Sequence, residues 1–458
     1  MTDRPRRVRS RRSVLAACGA GMAALAGCSA VGIRPGDDEG PEYDAGRLAA
    51  IGREGAPSRP DAFPVTVTGE MTERHSERAR ELLDAVPERP EVPNGVVTRR
   101  LRDHREEVAE ALDESGTEDD DPQAGTHADE EPGLERLSEA RHHRADAAEL
   151  LGAYRGATSE LDPDRVAERR ETLRSDRRSF ESGRDYRGGE PGVALVVHAE
   201  LEGYSDRARR SAEAWPPVPD DPATEPFKVG EIVRGLEAGR AALSDARRLR
   251  DRYLDGIDDP QPFRSAITVT AHRLDRRASF RWRGLHEYLD AGPDDLPFDR
   301  SLDGTPAIHL FARAKRTVDS ADRAAEEAMQ AGNQANAVLA EGRRIAGLRA
   351  LESVIDAIEE GKYDSPDDAD RVAAARADAV DAIETARGTS PVALSDELAF
   401  PAHDALRLGV RRLEEARNGR HDVNRAFASL AYARLYAGAV PEALATAIRY
   451  LDPNADAA

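Results

Sequence analysis

Six arginines crowd one short stretch of an otherwise acidic chain. Arg264, Arg273, Arg276, Arg277, Arg281 and Arg283 face a single acid, Asp275, which leaves a local charge near +5, six minus one. His272, Phe280 and Trp282 lie among them. A guanidinium binds carboxylate or phosphate through two parallel hydrogen bonds and stacks on aromatic faces. Arg273, Arg276, Arg277 and Arg281 are therefore the candidate residues for an anionic ligand or acidic partner. The plain alternative is that they pair with carboxylates on neighbouring helices of the same fold.

Metal and nucleophile chemistry find less support. His198-Ala199-Glu200-Leu201-Glu202 sets His198 and Glu202 one helical turn apart, a geometry able to share a metal. The stretch resembles the imelysin-like family of exported helical proteins, whose motif pairs a histidine with a glutamate three places on. Leu201 occupies that place here, so no site is carried over. His286-Glu287 and His142-His143 lack the HExxH spacing. Each of these histidines is expected to be a partly exposed helix residue, and no metal or other cofactor is expected. The chain has no G-x-S-x-G elbow, and no glycine-rich phosphate loop in a strand–loop–helix setting. A catalytic residue is therefore not assigned, and a non-enzymatic role is favoured. The alternative is a metal-dependent or hydrolytic enzyme whose site is assembled from distant helices.

The clearest motif is an address. Ser10-Arg11-Arg12-Ser13-Val14-Leu15 opens an apolar run that ends at Leu25-Ala26-Gly27-Cys28. A basic head, a short apolar middle and a small-residue exit are the parts of an export signal, and the run is too short to span a bilayer as a helix. Arg11 and Arg12 with the residues after them resemble a twin-arginine export signal, and Leu25 to Cys28 resembles a lipobox. The resemblance implies cleavage after Gly27, a two-chain lipid on Cys28 and a body folded before export. The expected location is the outer face of the cell membrane. Cys18 would leave with the signal, so no disulfide is expected in the mature chain.

Loss of residues 1–27 removes six arginines and one aspartate, taking the formal charge from −21 to −26. Lysine occurs only at 228, 315 and 362. This acidic, lysine-poor composition resembles the proteins of extreme halophiles, in which dense carboxylates stay hydrated in strong salt. Such a charge argues against nucleic-acid binding, which needs a basic footprint.

The elements that must position these residues are helical. Residues 28–62, rich in Gly, Pro, Asp and Arg, read as a flexible tether with at most a short helix near Arg47–Ile51. Phe63 to Gly69 alternates like a strand but has no partner, which predicts an extended lead-in. A helical region follows over 63–215, holding an acidic loop at 115–133 that is read as solvated in preference to a calcium loop. Five prolines from Pro216 to Pro226 mark the candidate boundary to a second helical region, 226–458. Val197, Leu201, Tyr204, Ala208, Ser211 and Trp215 recur at intervals of four and three, as do Ile267, Ala271, Leu274, Ala278, Arg281 and Leu285. That is the seam of helices packed nearly parallel or antiparallel. The expected fold is all-α, one or two long antiparallel bundles behind a disordered tether. Gly438 is expected to end one helix, with another starting at Glu442.

Overall fold

Short polar side chains at helix starts fix much of the architecture. Asp44 accepts from the N–H groups of Gly46 and Arg47, Asp162 from those of Asp164 and Arg165, and Asp368 from that of Arg371. Each answers backbone donors that have no partner inside the first turn. The computed structural model describes residues 43–58, 62–117, 133–214, 216–292, 296–415 and 420–452. Arg11, Arg12, Cys28 and most of the acidic loop lie outside the described residues.

Among the described residues the chain is all-α, as expected. In order come α1 (Ala45–Arg53), α2 (Gly69–Asp84), α3 (Gly95–Thr117), α4 (Leu134–Ala157), α5 (Pro163–Ser182) and α6 (Pro191–Glu213). Next are α7 (Pro226–Asp255), α8 (Arg264–Gly284), α9 (His286–Asp290) and α10 (Pro306–Ala331). The last are α11 (Gln334–Glu359), α12 (Ala369–Arg387), α13 (Val392–Glu414) and α14 (Arg420–Leu451). One small ribbon pairs β1 (Arg187–Gly188) with β2 (Gln261–Pro262) in antiparallel fashion. Residues 63–68 form the extended lead-in without a strand partner. None of the described helices is long and apolar enough to cross a membrane.

Two sets of helices share the buried residues. In the first, α2, α4 and α7 pack together and α6 lies along α7. Glycines let α4 and α7 cross closely: a Cβ on Gly230 would sit 2.6 Å from the carbonyl oxygen of Glu149, and one on Gly152 would sit 2.8 Å from Val233. In the second, α11 and α14 form the centre, covered by α8, α10, α12 and α13. Helix α6 serves both. Val197, Leu201 and Tyr204 face the first core, whereas Leu195, Val196 and Ala199 face the second.

Three expectations need correction. The proline-rich segment after α6 does not divide two cores, because Ile232, Leu236 and Leu243 of α7 join Val197 and Leu201 of α6 in one cluster. Part of the expected tether belongs to the body. Tyr43, Leu48 and Ile51 are buried in the second core, and the Tyr43 hydroxyl donates to the Pro366 carbonyl. Leu48 and Ile51 of this short capped helix, with Tyr43 just before it, dock it on α13, a gain invisible in the polar composition around them. Helix α14 also runs unbroken through Gly438 and Pro441. Ala439, Val440, Ala443 and Leu444 are all buried, so packing outweighs the hydrogen bond that proline removes.

Candidate functional site

The four candidate arginines on α8 do not share one fate. Ile267, Ala271, Leu274 and Ala278 point into the core, so the arginines between them ride the outer half of the helix. Arg281 is spent on the bundle, donating to Glu352 at 2.9 Å and Glu442 at 2.8 Å. Arg277 reaches the same Glu442 at 3.7 Å. Arg273 and Arg276 are exposed and make no ion pair with a described residue, although Arg273 lies 5.6 Å over the Tyr450 ring. Asp275, the lone acid of the stretch, turns toward Arg344 at 3.5 Å.

Arg344 organises a charge cluster that the sequence did not reveal, with Arg344 and Glu341 buried and Asp275 and Asp322 half-exposed. It meets Asp322 at 2.9 Å, Glu341 at 3.4 Å and Asp275, with Trp282 stacked 5.4 Å away. One guanidinium cannot balance three carboxylates. Burial, with the charges of Asp275 and Asp322, pushes the Glu341 carboxyl up to about 7 against the pull of Arg344.

His198 and Glu202 do not converge on a metal. Both are buried, against the expectation of a partly exposed histidine. Helix α6 is apolar from Val193 to Val197 and buried from Ala194 to Ala199, so His198 lies in a stretch covered on all sides. His198 Nε2 sits 2.9 Å from the Arg187 carbonyl at the ribbon, and burial drops its pKa to about 4. The ring is therefore neutral, and Nε2–H is the donor. Glu202 accepts from the Tyr186 hydroxyl at 2.6 Å and from the N–H groups of Ala335 at 3.1 Å and Asn336 at 2.8 Å. It caps α11 from another helix, a carboxylate at the positive end of a helix dipole. Tyr186 adopts φ 52°, a conformation bulky residues avoid, between this bond and the ribbon. Phe263 N–H donates to the Tyr186 carbonyl, and Arg187 donates to the Pro260 carbonyl. These contacts fasten the two sets of helices together.

A second buried network lies in the first set. His75 Nε2 faces both oxygens of Asp245 at 3.0 Å, and Arg141 reaches Asp245 at 3.3 Å. Arg144 approaches His75 Nδ1 at 3.3 Å and holds Glu237 at 2.6 Å. A histidine between an aspartate and an arginine invites comparison with acid–base catalysis. His75 and Asp245 are almost wholly buried, however, and their contacts tie α2, α4 and α7 together.

A cleft of about 640 Å³ opens where the two sets meet. Helices α4, α6, α11 and α13 form its walls, with Phe63 of the lead-in at one edge. Glu135, Glu139, Glu200, Asp396 and Glu397 line it against two arginines, Arg136 and Arg343. Val196, Leu339 and Ala393 supply apolar surface between them. Arg343 pairs with Glu397 at 2.7 Å, and Arg387, from outside the cleft, pairs with Asp396. Glu135 and Glu139 make no ion pair with a described residue. Burial, then the charge of Glu397, pushes the Glu200 carboxyl above its usual range against Arg141, Arg207 and Tyr204. The surplus is negative, and the lining mixes carboxylates with carbon.

None of these cleft residues was singled out from sequence except Glu200, and then only as part of the broken histidine motif. They come from five separated segments, so no local spacing announces them. Among the described residues, no group of three or more His, Cys, Asp or Glu side chains is placed to hold a metal ion. Residues 70–259 match the family model described as Domain of unknown function (DUF8262), and residues 260–448 match that described as Domain of unknown function (DUF8264). Their junction falls between α7 and β2, so the ribbon and the Glu202 cap both cross it. No curated protein and no solved structure matches the chain.

Proposed function

We propose that this chain is a non-enzymatic binding protein, lipid-anchored through Cys28 at the outer face of the membrane, whose cleft takes a cationic organic ligand. The observation that carries the ligand class is the charge of the cleft, five carboxylates against two arginines around a partly apolar wall. An amine or guanidinium borne on a carbon chain satisfies both surfaces: its charge meets Glu135, Glu139 and Glu200, and its methylenes cover Val196 and Leu339. Titration of the full chain with a series of α,ω-diamines, read by calorimetry, tests this. Binding should strengthen with chain length and weaken about tenfold in a Glu139→Gln/Glu200→Gln variant, the loss of a charge-assisted contact. Absence of heat with every diamine, in a chain of unchanged circular dichroism, removes the reading.

The anchor is tested separately. Cys28→Ser should abolish lipid attachment and release the mature chain or leave it uncleaved. Arg11→Lys/Arg12→Lys should hold folded precursor inside the cell. Normal membrane retention of a lipid-free Cys28→Ser chain removes the anchor reading.

One observation favours a second function. Glu200, whose carboxyl is pushed above its usual range by burial and then by the charge of Glu397, lies beside a second acidic side chain, as the acid of a hydrolase does. Turnover of a glycoside or ester panel that vanishes in Glu200→Gln, while diamine binding persists, would decide for that function.

A further inference from the structure

Helix α8 carries an outward stripe whose arginines make no ion pair with a described residue, although Arg273 lies over the Tyr450 ring. Val269, Arg273, Arg276, Phe280 and Arg283 recur at intervals of four, three, four and three, the same spacing as the buried seam but on the opposite side. At 1.5 Å per residue the stripe runs for about 21 Å. Phe280 is 73% exposed and Val269 44%, two of only five large apolar side chains so exposed among the described residues. Arg273, Arg276 and Arg283 make no ion pair with a described residue, and Arg283 rests 5.8 Å over the Phe280 ring. The acid nearest in sequence, Asp275, is turned away to Arg344.

We infer that this stripe is the face by which the body rests on an anionic lipid surface, an inference that builds on the lipid anchor proposed above. Charge complementarity selects the occupant. The rest of the chain is strongly acidic and is repelled by anionic headgroups, so a face with three unbalanced guanidiniums orients the whole body. Exposed aromatic and aliphatic side chains beside those arginines match the boundary between headgroups and acyl chains. The distance is also covered. Fourteen residues lie between Cys28 and Tyr43, a reach of about 50 Å when extended, longer than the stripe and comparable to the longest helices.

The test supplies the lipid chemically, so that it does not depend on lipidation in the cell. The full chain carrying Cys18→Ser keeps Cys28 as its single thiol, which is coupled to a maleimide-bearing lipid. One set of vesicles is phosphatidylcholine alone; the other is phosphatidylcholine and phosphatidylglycerol in equal parts. Hydroxyl-radical oxidation of Phe280 is read by mass spectrometry against Phe400, 44% exposed on α13, as the internal standard. Salt is the lowest at which helical circular dichroism is unchanged.

On anionic vesicles Phe280 should be protected relative to Phe400, and on phosphatidylcholine alone it should not. About fivefold of docking equilibrium per arginine makes about a hundredfold for three, so Arg273→Gln/Arg276→Gln/Arg283→Gln should restore full oxidation. These three are exposed and unpaired, and the variant should keep its fold. Equal oxidation of Phe280 on both vesicles and in free solution overturns the inference. So does protection in solution that grows with protein concentration, which assigns the stripe to a second copy. Protection by polyglutamate but not by anionic vesicles also overturns it, in favour of an acidic protein. Failure of the anchor reading is distinguishable, because it shows in Cys28→Ser cells and leaves the coupled chain unaffected.

Discussion

Replacing Glu202 with alanine should be among the most damaging single changes in the molecule. The carboxylate is fully buried and serves four donors: the Tyr186 hydroxyl at 2.6 Å, the N–H groups of Ala335 at 3.1 Å and Asn336 at 2.8 Å, and the Asn336 side-chain amide at 3.1 Å. Arg184, itself buried, stands 3.8 Å away as the nearest balancing charge. Each buried donor left without an acceptor costs about 1–3 kcal/mol, and the losses overlap because water can enter the vacated space. Removing one side of a buried charged pair costs about 3–5 kcal/mol in comparable settings, and we expect Glu202→Ala in that range. Glu202→Gln keeps one acceptor oxygen and should cost less, about 1–3 kcal/mol. Denaturant unfolding of the full chain measures both. Combined with Tyr186→Phe, the alanine change should show a coupling of about 0.5–3 kcal/mol. A loss below about 1 kcal/mol for Glu202→Ala, the size of an ordinary surface change, would falsify the assignment of this residue as the fastening between the two sets of helices.

Stability should also depend on pH in a particular way. Glu341 sits at about 7 in the folded chain against an ordinary value of 4.5, so between those values the folded state holds a proton that the unfolded state has lost. Its contribution grows as pH falls from above 7 and is complete below 4.5, worth up to about 3 kcal/mol. His198 acts in the opposite sense: at about 4 folded against 6.5 unfolded, it withdraws stability as pH falls through that window. The intact chain should gain stability from pH 8 to about 6.5 and change little below. A Glu341→Gln variant should lack the gain and lose stability on acidification below about 6.5; a variant with the parent profile contradicts the cluster assignment. Salt supplies a third outcome. Dilution from molar salt to 0.1 M lengthens the screening distance from about 3 to about 10 Å, so the melting temperature of this acidic chain should fall. An unchanged melt removes the halophile reading.

Much of the helical plan was legible because it is written locally. Asp162-Pro163 has the form of a helix start, and the four–three seams of α6 and α8 name their buried faces. What escaped was set by distant partners. Tyr43, Leu48 and Ile51 lie in a polar stretch, and only the groove on α13 makes them core. Gly438 and Pro441 carry every local sign of a stop, yet the buried neighbours around them keep α14 whole. The isolated pair β1 and β2 is too short for any periodicity. For His198, a signal was present: a polar group that follows the apolar run Val193–Val197 needs a buried partner. Expecting a partly exposed histidine there neglected those apolar neighbours. The cleft was illegible because five segments contribute to it.

Helix α6 divides its sides between two cores, and that arrangement bears on how the molecule comes apart. A helix whose burial depends on both halves cannot lose one without exposing apolar surface to water. Heat or denaturant should therefore melt the chain as a single cooperative unit, although two family models meet between residues 259 and 260. A fragment cut at that junction would leave the start of α11 without Glu202 and the second core without Leu195, Val196 and Ala199. The recurring units of sequence here are not the units of folding.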